Sequence, residues 1–194
     1  MIQTRPPTII SSTAIISLML LIVATLISFP TLALDFSLET VQSNIEKKYN
    51  KIDHIDGRDF LNLNKENTIV FDVRQQNEFD ISHIKSATRI SPNIENDVFI
   101  NKFGDKLKEK NIIFYCSVGQ RSSSLASRLQ PFLLALGANE IYNLKGGIFK
   151  WHNEKRALVL QGHPTNFIHP FNTKWGLLLD DKQSIRFLPN KKSE

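Results

Sequence analysis

The distribution of apolar and polar residues predicts alternating strands and helices over most of the chain. Apolar, β-branched runs predict strands at residues 52–55, 68–73, 87–91, 111–115 and 140–144. Helical spacing predicts helices at residues 36–49, 59–61, 75–81, 94–108, 122–136 and 148–151. We expect Pro131 to kink or split the fifth of these helices. The alternation indicates an α/β fold with a mostly parallel central sheet flanked by helices on both faces.

The C-terminal part, residues 156–194, has a different pattern from the domain at residues 34–155, because proline and glycine interrupt it repeatedly. Apolar runs at residues 175–179 and 184–188 predict a β-hairpin in this extension. We also expect its aromatic residues to pack against the domain. These aromatic residues are Phe167, Phe171 and Trp175.

The N-terminal segment, residues 1–33, is typical of a signal peptide. Its one charged side chain, Arg5, precedes an apolar run at residues 14–27. This run is shorter than the ~20 residues that span a bilayer. Small residues at the peptidase positions predict cleavage before Leu34, and the alternative is an uncleaved membrane anchor over residues 9–29. Both interpretations predict an exported domain, either periplasmic or secreted.

The chain of 194 residues contains a single cysteine, Cys116, so no intramolecular disulfide can form. Exported proteins usually pair their cysteines, and an unpaired thiol is therefore either well buried or retained for chemistry. The net charge of +5 arises without any dense basic run. This pattern favours a solvated surface of mixed charge over nucleic-acid binding, although it still attracts small anions.

The most informative stretch follows the strand at residues 111–115 and leads into a helix. It reads Cys116-Ser117-Val118-Gly119-Gln120-Arg121-Ser122. A loop that wraps into a helix N-terminus directs backbone N–H groups inward, and the helix end adds partial positive charge. Such a cradle binds anions and stabilises a thiol as the thiolate, which is the nucleophilic form.

Three residues of this loop have properties suited to such a cradle. Gly119 permits a bend with positive φ, which larger residues resist. Arg121 adds a permanent charge with a fork that matches oxyanions. Ser122 is a candidate cap for the helix that follows.

The pattern Cys-x-x-Gly-x-Arg-Ser between a strand and a helix resembles the active loop of the rhodanese family. Three further segments resemble the family in the same order, although Ser82 stands where the family usually has glycine. They are Asp72-Val73-Arg74 with Glu78-Phe79, His83-Ile84 with Ala87, and Asn143-Leu144-Lys145-Gly146-Gly147 with Trp151. The resemblance covers residues 52–154 and implies a rhodanese-like fold.

The resemblance implies a sulfurtransferase with Cys116 as the catalytic residue. Cys116 would take sulfur from a donor such as thiosulfate, form a persulfide, and pass the sulfur to a thiol or cyanide. Arg121 would orient the anionic donor, and the backbone amides of the loop would bind the sulfur. These amides belong to Ser117, Val118, Gly119, Gln120, Arg121 and Ser122. No metal or organic cofactor is required.

Three charged residues, Asp72, Arg74 and Glu78, follow a predicted strand, and we expect them to support the loop rather than act as acid or base. Four residues separate Cys116 from Arg121. Phosphatases of the same fold have a loop one residue longer, so the shorter loop favours sulfur over phosphate. Two alternatives remain, a non-catalytic binding module and a redox sensor that forms a sulfenic acid on Cys116.

Overall fold

The computed structural model describes residues 36–189. The predicted signal peptide lies outside the described residues. Seven strands occur in the described range: β1 Asp53–Ile55, β2 Thr68–Asp72, β3 Thr88–Arg89, β4 Asn111–Tyr115, β5 Glu140–Leu144, β6 Leu158–Leu160 and β7 His163–Thr165. Seven α-helices accompany them: α1 Leu38–Lys48, α2 Gly57–Asn62, α3 Gln76–Phe79, α4 Asn96–Phe103, α5 Gln120–Ala135, α6 Gly147–Asn153 and α7 Thr173–Gly176. None of these helices is long and apolar enough to cross a membrane.

The first five strands form one parallel sheet in the order β1-β5-β4-β2-β3, which confirms the predicted α/β fold. β4 lies at the centre, with β2 and β5 on either side. All pairs are parallel, so the carboxyl ends of β2 and β4 meet at one edge of the sheet. Asp72 and Cys116 are brought together at this edge, and the amide of Val73 donates to the carbonyl of Tyr115 at 2.8 Å.

Both faces of β4 are buried, as its continuous apolar run predicts. Ile113 and Tyr115 belong to the hydrophobic cluster on one face of the sheet. Ile112, Phe114 and Cys116 belong to the cluster on the other face. That second cluster includes the apolar side of α5, so the cysteine lies on the face of the sheet that this helix covers.

The helix α5 runs without a break from Gln120 to Ala135, so the predicted split at Pro131 is wrong. Proline removes one backbone donor and leaves the carbonyl four residues earlier without its partner. Pro131 is exposed. We attribute the continuity to this position, because water can satisfy the freed carbonyl there and the apolar side of the helix stays packed.

The β-hairpin predicted at residues 175–188 is wrong, because the chain there forms α7 and a 3₁₀ turn at Lys182–Ser184. The side chain of Asn172 caps α7 by accepting from the amide of Trp175 at 3.0 Å. At the other end of α7, Lys182 donates to the carbonyls of Gly176 and Leu177. These polar contacts favour a helical turn over a strand. An antiparallel pair does occur earlier in the extension, between β6 and β7.

The C-terminal extension packs into the body of the fold. Ile168 and Leu179 are fully buried in the same cluster as Phe149. The ring of Trp175 lies 5.5 Å from that of Phe36, centroid to centroid. The extension therefore contributes to the hydrophobic core instead of lying loosely on the surface.

The start of α6 holds the loop that follows β4. The amide of Ile148 donates to the carbonyl of Cys116 at 2.9 Å, and that of Phe149 donates to the carbonyl of Ser117 at 3.0 Å. A Cβ at Gly147 would lie 2.4 Å from the carbonyl oxygen of Cys116, so only glycine allows this approach. The glycine pair before α6 thus lets the helix N-terminus reach the loop.

We expect Gly147→Ala to lower the free energy of unfolding by roughly 3 kcal/mol or more, because it adds a steric clash to the cost of a left-handed backbone. Gly162→Ala is the matched control, since Gly162 has φ +82° and no described atom lies within 4 Å of its added Cβ. That control should cost about 1 kcal/mol. Urea denaturation measures both, and equal losses would contradict the close approach.

Candidate active site

The loop between β4 and α5 turns its amides toward one sulfur atom. The amide of Gly119 donates to Sγ of Cys116 at 3.2 Å, and Gly119 has φ +102°. The carbonyls of Cys116 and Ser117 point the other way, toward α6. Because a trans peptide places its N–H opposite its C=O, the amides of Ser117 and Val118 are directed away from α6. The loop has the form of an anion cradle.

The sequence suggested Ser122 as the cap of α5. This prediction is wrong, because the helix begins at Gln120. The tight bend at Gly119 starts the helix earlier and places that glycine at the N-cap position. Ser122 is the third residue of α5, and its hydroxyl donates to Oδ1 of Asn143 at 2.6 Å. This bond ties the start of α5 to the end of β5.

The cradle lowers the pKa of the Cys116 thiol. Burial raises this pKa, but the charge of Arg121 and the backbone hydrogen bonds from Ser122 and Val118 outweigh burial. The net effect favours the thiolate. Cys116 is only 1% exposed, so its sulfur is shielded from bulk water.

Arg121 reaches the sulfur from within a network of charges. Its Nη1 and Nη2 atoms donate to the two carboxylate oxygens of Glu78 at 2.7 and 2.8 Å, and Nη2 also donates to Oγ of Ser117 at 2.9 Å. Arg121 therefore does not offer a free fork to a donor, because a buried carboxylate already occupies it.

Glu78 is the anionic centre of this network and is 1% exposed. Burial raises the pKa of Glu78, but the hydrogen bonds and charge of Arg121 outweigh burial and hold the pKa below its usual value. Glu78 also accepts from the amide of Gln75 at 3.0 Å and from the hydroxyl of Ser117 at 2.8 Å. One carboxylate thus links α3, the loop and α5.

Asp72 and Arg74 form a fully buried ion pair beside this network. Nη2 of Arg74 lies 2.6 Å from Oδ2 of Asp72 and also donates to the carbonyl of Ser82 at 2.6 Å. Burial lowers the pKa of Arg74, but the adjacent Asp72 carboxylate outweighs burial and raises it. The pair joins the end of β2 to the segment after α3, and neither side chain contacts the sulfur through a hydrogen bond.

The side chains of Ser117, Gln120 and Val118 have partners other than the sulfur. The hydroxyl of Ser117 is bonded to Glu78, and the side-chain amide of Gln120 donates to the hydroxyl of Tyr49 at 2.9 Å. The side chain of Val118 is buried in the cluster on the opposite face of the sheet. The structure therefore gathers the predicted loop residues at one sheet edge. The groups that interact with the sulfur there are the amides of Val118, Gly119 and Ser122, the side chain of Ser122 and the charge of Arg121.

Sequence reasoning missed two residues near the site. Asn143 anchors Ser122, and its place in a motif segment was the only signal for it. The ring of Phe171 lies 4.8 Å from Cζ of Arg121, measured to the ring centroid. Arg121 and Phe171 are fifty positions apart in the chain, so no local pattern reveals their contact.

Comparison with known proteins shows which family and which relatives this chain resembles. A family model described as the rhodanese-like domain matches residues 44–154. The tRNA uridine(34) hydroxylase of Onion yellows phytoplasma is 28% identical over 81% of this chain and 51% of its own length. The M-phase inducer phosphatase cdc-25.3 of Caenorhabditis elegans is 28% identical over 74% of this chain and 52% of its own length.

A search of solved structures finds a rhodanese-related protein from Thermoplasma volcanium. It is 27% identical and covers 56% of this chain and 99% of its own, with a TM-score of 0.44. The chain spans about half the length of the two curated relatives named above.

We expect Arg121→Met to raise the pKa of Cys116, because the substitution removes the charge that stabilises the thiolate. Because the pKa of the native thiol is lowered, thiolate absorbance should develop at a lower pH than for a free cysteine. In the variant, this absorbance should develop at a higher pH than in the native protein. Ultraviolet absorbance during a pH titration measures this. Arg128→Met, on the exposed side of the same helix, is the control. An unchanged titration in Arg121→Met would contradict the role of Arg121.

Proposed function

Because the chain belongs to the family of rhodanese-like domains, we propose that it is a sulfurtransferase that carries sulfane sulfur as a persulfide on Cys116. The observation that carries this proposal is the amide of Gly119, which donates to Sγ at 3.2 Å within a loop whose carbonyls face away. A cradle of amides that stabilises a thiolate can also stabilise the anionic outer sulfur of a persulfide.

The proposed reaction has two steps. The Cys116 thiolate attacks the outer sulfur of thiosulfate, the sulfur–sulfur bond of the donor breaks, and sulfite leaves with the electron pair. The cysteine persulfide anion remains in the cradle. A nucleophilic acceptor, cyanide or a thiolate, then attacks the outer sulfur, and the Cys116 thiolate is regenerated as the leaving group.

The site residues divide this work between them. Cys116 is the nucleophile, and the amides of residues 117–122 bind the charge on sulfur. Arg121 attracts the anionic donor and counters the charge on sulfite, although Glu78 shares its positive charge. Asp72, Arg74 and Glu78 fix the loop. Activation of the thiol comes from the cradle, and the reaction draws on no cofactor.

The dimensions of the loop favour sulfur over phosphate as the group transferred. β4 ends at Tyr115 and α5 begins at Gln120, so only four residues lie between the two elements. The sulfur atom already contacts the amide of Gly119. A phosphate has a larger shell of oxygens and calls for a wider loop.

A second candidate is the reaction named for the phytoplasma relative, hydroxylation of uridine 34 in tRNA. The match to that protein extends over 81% of this chain, which favours it. The sequence shows no dense basic run for RNA, which disfavours it. Gel retardation of unmodified tRNA by the purified protein, at more than one salt concentration, tests this candidate.

We also propose that residues 1–33 direct export and that the domain acts outside the cytoplasm. The apolar run after Arg5 and the small residues before Leu34 support this. Mass measurement of the protein purified from its natural source tests the cleavage site. An intact N-terminus would favour the membrane-anchored alternative.

We expect the protein to gain the mass of one sulfur atom with thiosulfate and to lose it with cyanide. Cys116→Ala should abolish the adduct and leave the fold intact, because the variant removes the only thiol. Intact-protein mass spectrometry measures the adduct, and circular dichroism measures the fold. Absence of an adduct on the native protein would favour a binding module, and reaction with peroxide alone would favour a redox sensor.

We expect Arg121→Ala to slow sulfur loading from thiosulfate by about 10- to 100-fold, because it removes the charge that attracts the anion. Loading from an alkyl persulfide should slow less, because this donor carries less negative charge than thiosulfate and passes on its outer sulfur with a thiolate as the leaving group. Mass spectrometry of samples quenched at set times measures both rates, and Arg128→Ala on the same helix is the control. Equal losses with the two donors would remove the anion-orienting role from Arg121.

A further inference from the structure

A short part of the C-terminal extension forms a strap, defined as residues 168–171, over the site. It lies outside residues 44–154, which the family model matches. Within the strap, the ring of Phe171 lies over the guanidinium of Arg121, with 4.8 Å from Cζ to the ring centroid. The aromatic face and the cation attract each other at this distance. The strap therefore covers a residue that itself interacts with Cys116.

The strap is anchored at its start by the backbone. The amide of Ile168 donates to the carbonyl of Ser184 at 3.0 Å, and the amide of Arg186 donates to the carbonyl of Ile168 at 3.0 Å. Ile168 is fully buried. His169 is buried beside α3, with Nε2 3.4 Å from Nδ2 of Asn77. The strap is thus a fixed part of the fold.

Phe171 adopts a backbone conformation that is rare for its residue type. Its φ is +65°, in the left-handed region that favours glycine. The amide of Phe171 donates to Nδ1 of His169 at 3.0 Å, and this bond holds the turn. The unfavourable backbone persists because the surrounding contacts fix it, and its result is to place the ring over Arg121.

The exposed fraction increases from Cys116 through Arg121 to Phe171. Cys116 is 1% exposed, the side chain of Arg121 is 22% exposed, and Phe171 is 43% exposed. Phe171 therefore lies on the outer side of Arg121, and a molecule that approaches the guanidinium from that side meets the ring first.

We infer that Phe171 is the specificity-determining residue of this site, and that it limits donors and acceptors to small molecules such as thiosulfate and low-molecular-weight thiols. The inference rests on the proposed function for the identity of the reaction. A persulfide on the surface of a folded protein brings its own backbone and neighbours with it. Such a donor cannot bring its sulfur to Cys116 while the ring covers Arg121.

The test compares the native protein with Phe171→Gly, which removes the ring and suits the positive φ. Phe132→Ala is the matched control, because Phe132 is similarly exposed, at 45%, and lies on the outer side of α5. Cys116 is the only thiol, so alkylation reports on access to it without any sulfur transfer. The reagents are iodoacetamide and a maleimide that carries a bulky polymer.

We expect Phe171→Gly to increase the rate of labelling by the bulky maleimide, relative to iodoacetamide, by about tenfold. The control should leave this ratio unchanged, and Phe171→Trp should retain the native ratio. An unchanged ratio in Phe171→Gly would overturn the inference. Phe171→Leu, which keeps an apolar side chain at this position, replaces Phe171→Gly if circular dichroism shows that the glycine variant is unfolded.

Sulfur loading separates this inference from the proposed function. With thiosulfate and a persulfidated carrier protein as donors, we expect Phe171→Gly to raise the relative use of the protein donor. A loss of protein-donor use would overturn the inference and make the strap a docking surface instead. The native protein could show size-selective alkylation and yet gain no sulfur from either donor. That result would reject the proposed function and support the role of Phe171 in access.

Discussion

The orientation of two peptide groups is the constraint on which the site depends. The carbonyls of Cys116 and Ser117 are bonded to the first amides of α6, so their N–H groups are directed to the opposite side. The close approach requires glycine at position 147. A helix that follows the loop by thirty residues therefore decides that the cradle presents amides and not carbonyls to the sulfur. The lowered pKa of Cys116 follows from this orientation together with the charge of Arg121.

Charge balance at the sheet edge explains why several ionised groups tolerate burial. Arg121 is hydrogen-bonded to Glu78 and interacts with Cys116, so one cation serves both acidic groups. The Asp72–Arg74 pair is neutral as a unit and satisfies a carbonyl of the next segment. Removing one partner from such a pair leaves an uncompensated buried charge, which costs about 3–5 kcal/mol. The network thus stabilises the loop geometry and sets the electrostatics of the sulfur.

The C-terminal extension has two consequences for the domain. Its apolar residues Ile168 and Leu179 complete a hydrophobic cluster on one face of the sheet. Its strap covers Arg121, so the same packing that stabilises the extension also positions Phe171 over the guanidinium. Stability and the proposed control of access are therefore linked, because a change that loosens this packing also moves the ring.

The sequence alone determined the parallel sheet, the strands 111–115 and 140–144, and the loop that carries Cys116, because each depends on local apolar runs and a short motif. It did not determine which side chains face the sulfur. The pairing of Arg121 with Glu78 and the cover by Phe171 join residues more than forty positions apart. The hairpin predicted at 175–188 is wrong because a local side-chain cap at Asn172 and burial against the domain override local strand preference there. Local patterns specify elements, whereas the partners of a charged or aromatic side chain depend on how those elements pack.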